Sequence, residues 1–137
     1  MEKIKVDVQW CNKNFGASLG GNVPGSVVVT AKTFDGLREQ VAEALRFHVD
    51  GMLADGDDVP QWLASGDYEF EWHYADTATL LRVCEPYITL SAISRETGIN
   101  KHLLSHYANQ MKRPRRQQHT RIVEGIRRIG ERLITVV

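Results

Sequence analysis

The chain has 137 residues, which is enough for one ordinary domain or two very small ones. With 42% hydrophobic and 25% charged residues and a net charge of zero, it has the composition of a folded globular protein, which excludes a disordered, collagen-like or disulfide-stapled chain. Its apolar runs are only a few residues long, so we expect no membrane span and no secretion signal.

The first thirty residues predict three strands. Residues 3–10 alternate between apolar and polar side chains, which is the period of a half-buried strand. A turn at residues 11–14 and a second alternation at 15–19 predict a hairpin. The β-branched run at residues 27–29 is typical of a central strand, so we expect it to be buried on both faces.

A helical period begins at Thr33, which is a good N-cap. Asp35 stands in the first turn, where the helix dipole favours negative charge. We expect the apolar side of this helix to lie across the sheet and to consist of Phe34, Leu37, Val41, Ala44, Leu45, His48 and Met52. On this side, His48 is predicted to be a core or interface histidine. Residues 54–65 are interpreted as an acidic connection.

A fourth strand is predicted at residues 67–74, where aromatic and mostly acidic side chains alternate. Its aromatic face is formed by Tyr68, Phe70, Trp72 and Tyr74, and its other face by Asp67, Glu69, Glu71 and His73. The predicted order up to Ala75 is therefore β-β-β-α-β.

The remaining residues predict four helices and no strand. Asp76, Thr89 and Asn100 are N-cap candidates for the first three, which end before Pro86, at Gly98 and near Gln110. The fourth runs from about residue 117 to 133, with an apolar stripe of Ile122, Ile126, Ile129 and Leu133. The fold class is thus α+β.

The charges are divided unequally between the two parts of the chain. Residues 1–75 carry 6 basic and 12 acidic side chains, a net charge of −6, whereas residues 76–137 carry 11 and 5, a net charge of +6. An acidic surface repels a phosphate backbone and a basic one attracts it, so this division predicts two domains, 1–75 and 76–137, with different partners.

Residues 89–110 have the pattern of a helix-turn-helix: a short helix, a turn centred on glycine, and a capped second helix. The apolar residues that would hold the two helices together are Ile93, Ile99, Leu104 and Tyr107. An ordinary helical hairpin with a solvated face is the alternative. We favour DNA binding because a basic segment, residues 112–116, follows at once. The candidate DNA-binding residues are Ser91, Asn100, Lys101, His102, Ser105, His106, Lys112, Arg113, Arg115 and Arg116.

The sequence gives no indication of a metal, a cofactor or catalysis. Cys11 and Cys84 belong to no CxxC pattern, so we expect neither a disulfide framework nor a zinc site, and a reducing cytoplasm as the location. His102 and His106 have the spacing of a metal pair but no third ligand nearby. The acidic loop at 55–58 lacks the spacing of an EF-hand. No nucleophile motif is present, so we predict that the chain is not an enzyme.

The sequence resembles the HicB antitoxins of bacterial type II toxin-antitoxin systems over nearly its whole length. The motifs of the first half are the turn Asn22-Val23-Pro24-Gly25 and the helix that Thr33 opens, with its later segment Val41-Ala42-Glu43-Ala44-Leu45. The second half resembles the Xre-like helix-turn-helix of some members, in the segments 92–100, 104–108 and 112–114.

The resemblance implies a truncated RNase H-like module without nuclease activity, which binds and blocks a small basic mRNA-cleaving HicA toxin. It also implies that the second module binds the operator of its own operon, with Lys101, His102 and His106 facing bases and Ser91, Lys112 and Arg113 holding phosphates. Charge alone suggests the toxin-contacting residues Asp55, Asp57, Asp58, Glu69 and Glu71.

Helix-turn-helix proteins commonly read paired half-sites, so we also expect a homodimer or a higher even oligomer. Two other functions remain open. The first is a transcription regulator whose N-terminal module senses a ligand or mediates assembly, without a toxin. The second is a nucleic-acid enzyme that uses the carboxylates of the first module.

Overall fold

The computed structural model describes all 137 residues and has four strands and six helices, so the predicted α+β class is confirmed. The elements are β1 (Glu2–Cys11), β2 (Asn14–Leu19), β3 (Val28–Ala31), α1 (Phe34–Ala54), α2 (Gln61–Ala64), β4 (Tyr68–Tyr74), α3 (Thr77–Cys84), α4 (Leu90–Thr97), α5 (Lys101–Ala108) and α6 (Arg116–Ile134). The chain divides into two compact units, Met1–Ala75 and Asp76–Val137. None of its helices combines the length and the apolar character that crossing a bilayer requires.

The first unit contains one mixed sheet with the strand order β3-β2-β1-β4. β1 and β2 are antiparallel, as are β2 and β3, while β4 runs parallel to β1. The predicted hairpin is confirmed. Asn12 and Lys13 join its strands with φ angles of 52° and 63°, and positive φ at both central residues is what a type I′ turn requires.

The helix α1 covers one face of the sheet. The side chain of Thr33 accepts a hydrogen bond of 3.0 Å from the Gly36 N–H, which confirms it as the N-cap. The most buried residues of the helix are Leu37, Val41, Leu45 and Val49. On the sheet, Ile4, Val6 and Val8 are fully buried, as their alternation predicts. Lys3, Lys5 and Asp7, which alternate with them, are exposed on the opposite face.

The prediction of a central strand at residues 27–29 is wrong. β3 lies at the edge of the sheet and pairs only with β2. Val28 is 68% exposed because it stands opposite Ser18 on the face that no helix covers. Val27, which is 7% exposed, precedes the strand and belongs to the core. A run of valines is therefore buried here only in part.

The acidic connection contains a short helix that the sequence pattern does not predict. α2 has a single buried residue, Leu63, which is 2% exposed. A four-residue helix is too short to show a period, and burial of Leu63 against the core of the first unit stabilises it.

The second unit has four helices, α3 to α6, and the first three begin at the predicted caps. Asp76 accepts a hydrogen bond of 2.9 Å from the Thr79 N–H, and Thr89 accepts one of 3.0 Å from the Ala92 N–H. Together the four helices enclose a core that consists of Leu81, Ile93, Ile99, Leu104, Tyr107, Ala108 and Ile122.

Part of the predicted stripe on α6 lies outside this core. Ile126 and Ile129 pack partly against it, but Leu133 is 58% exposed. α6 has 19 residues, whereas α3, α4 and α5 have eight each. At a rise of about 1.5 Å per residue its last turn therefore extends beyond the helices it packs against.

Candidate functional site

The turn between α4 and α5 is held by several hydrogen bonds. Gly98 has a φ of 74° and ends α4 in the left-handed conformation. Ser94 Oγ donates a bond of 2.6 Å to the Ile99 carbonyl, and the Thr97 hydroxyl accepts one of 3.2 Å from the Ile99 N–H. Arg121 Nη2, on α6, donates to the Thr97 carbonyl at 2.6 Å. These bonds fix the direction in which α5 leaves α4.

The side chains that face the core and those that face solvent on α5 divide as the pattern predicts. Leu104 and Tyr107 are buried, whereas Lys101 and His102 are exposed. Among the other candidates, Ser91, Ser105 and His106 are partly exposed, and Asn100, Lys112, Arg113, Arg115 and Arg116 are exposed. The exposed end of α5 is therefore its first turn.

Asn100 has a local structural role. Its side-chain oxygen accepts a hydrogen bond of 2.8 Å from the His102 N–H, which caps α5. This bond uses one lone pair of the amide oxygen, so its NH₂ group and the second lone pair of that oxygen remain to contact a ligand.

Three of the candidate residues line one groove. Ser91 at the start of α4 and Lys101 and Ser105 on α5 share a groove of about 590 Å³. The remaining residues of its lining are Leu81, Arg82, Glu85, Ile88, Thr89, Leu90, Ala108 and Asn109. The lining therefore combines hydroxyl, ammonium, guanidinium, carboxylate and amide groups with apolar side chains.

Two residues of this groove, Arg82 and Asn109, are not identified by the sequence pattern. Arg82 Nη2 donates to Asn109 Oδ1 at 2.7 Å, and its Nε donates to the Ala108 carbonyl at 3.1 Å. The Asn109 amide in turn donates to the Ser105 carbonyl at 2.9 Å. This network satisfies the last carbonyls of α5 and holds Asn109 in place. No sequence pattern relates Arg82 to Asn109, because 27 residues separate them.

A second cluster of charges links α4 to α6. Glu96 accepts a hydrogen bond of 2.6 Å from Arg132 and one of 2.8 Å from Arg128. These bonds, that from Arg132 first, lower the pKa of the Glu96 carboxyl below its ordinary value. The two arginines are consequently engaged in holding the helices together.

The basic segment between α5 and α6 has no such partners. Lys112, Arg113, Arg115 and Arg116 are exposed, and none of them makes an ion pair. Arg116 is the first residue of α6, and no side chain caps this end of the helix. The positive end of the helix dipole lies at this N-terminus, so the basic side chains there are unfavourable. An anion bound at this end would be stabilised by the helix dipole and by the basic side chains.

The acidic residues suggested as toxin contacts occupy two places on the first unit. Asp55, Asp57 and Asp58 are exposed in the turn that follows α1. Glu69 and Glu71 are exposed on β4, so no single element presents all five.

Of the two glutamates on β4, Glu71 forms ion pairs and Glu69 does not. The His73 imidazole lies 2.6 Å from Glu71 and Lys3 lies 3.9 Å away. The hydrogen bond from His73 is the main cause that lowers the pKa of the Glu71 carboxyl. Glu69 makes no ion pair, although Lys3 stands opposite it in the sheet. Glu69 is therefore the more available carboxylate.

The structure contains no group of three or more histidine, cysteine, aspartate or glutamate side chains arranged to hold a metal ion. Comparison of the chain with protein-family models, with curated proteins and with solved structures gave no match.

Proposed function

We propose that this protein is a HicB-type antitoxin that represses its own operon. The second unit would bind operator DNA through a helix-turn-helix formed by α4 and α5. The first unit would bind and neutralise a small basic HicA-like toxin that cleaves mRNA.

The observation that carries the DNA part is the division of α5 into a buried and an exposed side. Leu104 and Tyr107 are buried in the core, while Lys101 and His102 are exposed. A recognition helix needs this division, because its outer face must enter the major groove while its inner face holds the domain together. The net charge of +6 on residues 76–137 supports attraction to phosphate.

The remaining candidates support contacts to the DNA backbone. Ser91 and Ser105 present hydroxyl groups beside Lys101 in one groove. The unpaired cations of residues 112–116 follow α5 directly, where they can hold phosphates and so set the register of the helix on the duplex. Dimerisation would place two such helices on paired half-sites.

The antitoxin part is supported by the architecture and the charge of the first unit. Its three strands, long helix and fourth strand follow the order of a truncated RNase H-like module, with α2 inserted before β4. Glu69 and Glu71 are neighbours on one strand, and His73 holds Glu71, which favours docking over catalysis. The net charge of −6 complements a basic partner, which is typical of fast and oriented association.

The test is to express the chain, in the cytoplasm of a host cell, together with the small basic protein encoded beside its gene. We expect a stable complex, loss of mRNA cleavage by that neighbour, and binding of the complex to DNA from upstream of the gene pair. If the DNA is bound but no neighbour exists or binds, the chain is instead a plain regulator. If purified chain ignores duplex DNA even in dilute salt, the DNA part of the proposal is overturned.

A further inference from the structure

The strand β4 has a free edge. It pairs with β1 on one side only, because the order of the sheet is β3-β2-β1-β4. Its seven residues include neither proline nor lysine, the residues that most often prevent strand addition at an edge. The other edge strand, β3, has only four residues. The edge of β4 is therefore the longer surface for strand pairing.

A groove runs beside this edge. α1 approaches β2 and β3 most closely and contacts β4 through Phe34, whose ring centre lies 5.4 Å from that of Trp72, yet the aromatic side chains of β4 remain half-exposed. The groove between α1 and β4 has a volume of about 710 Å³. Its lining residues are Asp35, Arg38, Glu39 and Ala42 on α1 and Glu69, Phe70 and Trp72 on β4. Because Glu69 and Phe70 belong to opposite faces of the strand, the groove includes the strand edge itself.

The chemistry of this groove suits a cation carried on an extended chain. Glu39 and Glu69 make no ion pair, so both carboxylates are available. The guanidinium of Arg38 already lies 6.0 Å from the ring centres of both Phe34 and Trp72. Cations are therefore compatible with these rings, although the positions over Phe34 and Trp72 already belong to Arg38.

A second copy of this chain is a poor occupant. In an antiparallel pairing of two β4 strands centred on Phe70, Glu69 of each copy faces Glu71 of the other. Centred on Glu71, the two Glu71 side chains face each other. Centred on Trp72, Glu71 of each copy faces His73 of the other, but each His73 already bonds to Glu71 of its own chain. Like charges directly opposite destabilise a strand pair. Nucleic acid is disfavoured as well, because the unit carries a net charge of −6.

We propose that the free edge of β4 and its groove bind an extended basic segment of a partner protein, which adds to the sheet as a further strand. Main-chain hydrogen bonds to β4 would supply affinity. Basic side chains on the two faces of the added strand would reach Glu69 on the open face and Glu39 on the face toward α1, where apolar side chains would also pack on Phe70 and Trp72. The inference rests on the proposed function only in that it takes the partner to be the basic toxin. It places the contact between the toxin and the first unit at this groove and not at the loop at 55–58.

The test uses the full chain and an acetylated peptide as long as β4, in which pairs of arginines alternate with pairs of valines, so that each face of the added strand carries both. Amide chemical shifts should change in β4 and in the first half of α1, and amides at the outer edge of β4 should exchange more slowly with solvent. A peptide of the same sequence with N-methylated backbone should bind much more weakly, because it cannot donate main-chain hydrogen bonds.

Two variants with equal changes of charge locate the site. Glu39→Gln with Glu69→Gln should weaken peptide binding by about 3- to 30-fold, the range for two partly exposed ion pairs. The control, Asp57→Asn with Asp58→Asn, should leave it nearly unchanged.

The inference is overturned if both double variants weaken binding equally, if the N-methylated peptide binds as well as its parent, or if single-stranded RNA produces the same shifts. These results would not touch the antitoxin proposal, which is tested with the neighbouring protein. Conversely, peptide binding without toxin binding would overturn the antitoxin proposal and leave the groove assigned.

Discussion

The imidazole of His48 on α1 donates a hydrogen bond of 2.6 Å from Nε2 to the carbonyl oxygen of Pro24. This bond attaches the loop before β3 to the helix. In the same loop, Asn22 Nδ2 donates to the Lys3 carbonyl at 3.0 Å, and Val23 is buried. The Asn22-Val23-Pro24-Gly25 turn is thus fixed from both sides. His48 is half-buried here, as the sequence predicted for a core or interface histidine.

Gly25→Ala should destabilise the first unit by about 1–3 kcal/mol. Gly25 has a φ of 80°, and a Cβ at this position would lie 2.8 Å from the His48 ring. Urea unfolding followed by tryptophan fluorescence measures the change, since all three tryptophans lie in residues 1–75. Gly21→Ala is the control, because nothing lies within 4 Å of its added Cβ. Equal losses in the two variants would contradict the role of His48.

Glu96→Gln should weaken the attachment of α6 to α4 at neutral pH. Because the folded-state pKa of Glu96 is lowered from its ordinary value of 4.5, its contribution to stability is present above that pH and is lost as the pH falls through the folded-state pKa. The difference between parent and variant in hydrogen exchange of the Ile122 amide should therefore vanish in acid. Glu124→Gln removes an exposed carboxylate of α6 that makes no ion pair, and should behave like the parent.

Two glycines of α6 should respond to alanine in opposite directions. A Cβ on Gly125 would overlap the Thr97 methyl group on α4, so Gly125→Ala should cost about 1–3 kcal/mol. Gly130 has nothing within 4 Å, so Gly130→Ala should stabilise the helix by up to about 1 kcal/mol. Hydrogen exchange of the α6 amides measures both. A loss of stability in Gly130→Ala would show that another part of the protein, or a second copy, packs against α6 at Gly130.

Alanine substitutions should distinguish side chains that read bases from those that hold phosphates. Lys101→Ala and His106→Ala should each reduce the preference for the operator over other DNA, by about 1–3 kcal/mol for every base that the side chain recognises. Arg115→Ala should weaken binding to all sequences and flatten its dependence on salt. Titration of operator and unrelated duplexes at several salt concentrations measures both effects. If neither class of variant changes the affinity, α5 does not enter a groove.

The elements that the sequence predicts correctly depend on interactions between near neighbours in the chain. The N-caps Thr33, Asp76, Thr89 and Asn100 each accept from an amide two or three residues ahead. Such bonds are visible as residue types at fixed spacing. By contrast, the β-branched run at 27–29 carries no information on how many strands flank it, and the prediction of a central strand failed for that reason.

Within the candidate site, the sequence identified which residues of α5 are exposed but not what holds them. Periodicity alone separates Lys101 and His102 from Leu104 and Tyr107. The bonds from Arg128 and Arg132 to Glu96 join residues 32 and 36 positions apart, and no local pattern encodes them. For this reason the sequence alone does not distinguish Arg128 and Arg132, which pair with Glu96, from the unpaired cations at 112–116.

The free edge of β4 also has a consequence for the behaviour of the isolated chain in acid. Repulsion between Glu69 and Glu71 of different copies opposes pairing of two such edges, and protonation would remove it. The hydrogen bond from His73 lowers the pKa of the Glu71 carboxyl, so Glu71 keeps its charge, and its part of this repulsion, to a lower pH than an ordinary glutamate would. Once this repulsion between copies is lost, we expect the aromatic, proline-free edge of β4 to act as a template for cross-β aggregation.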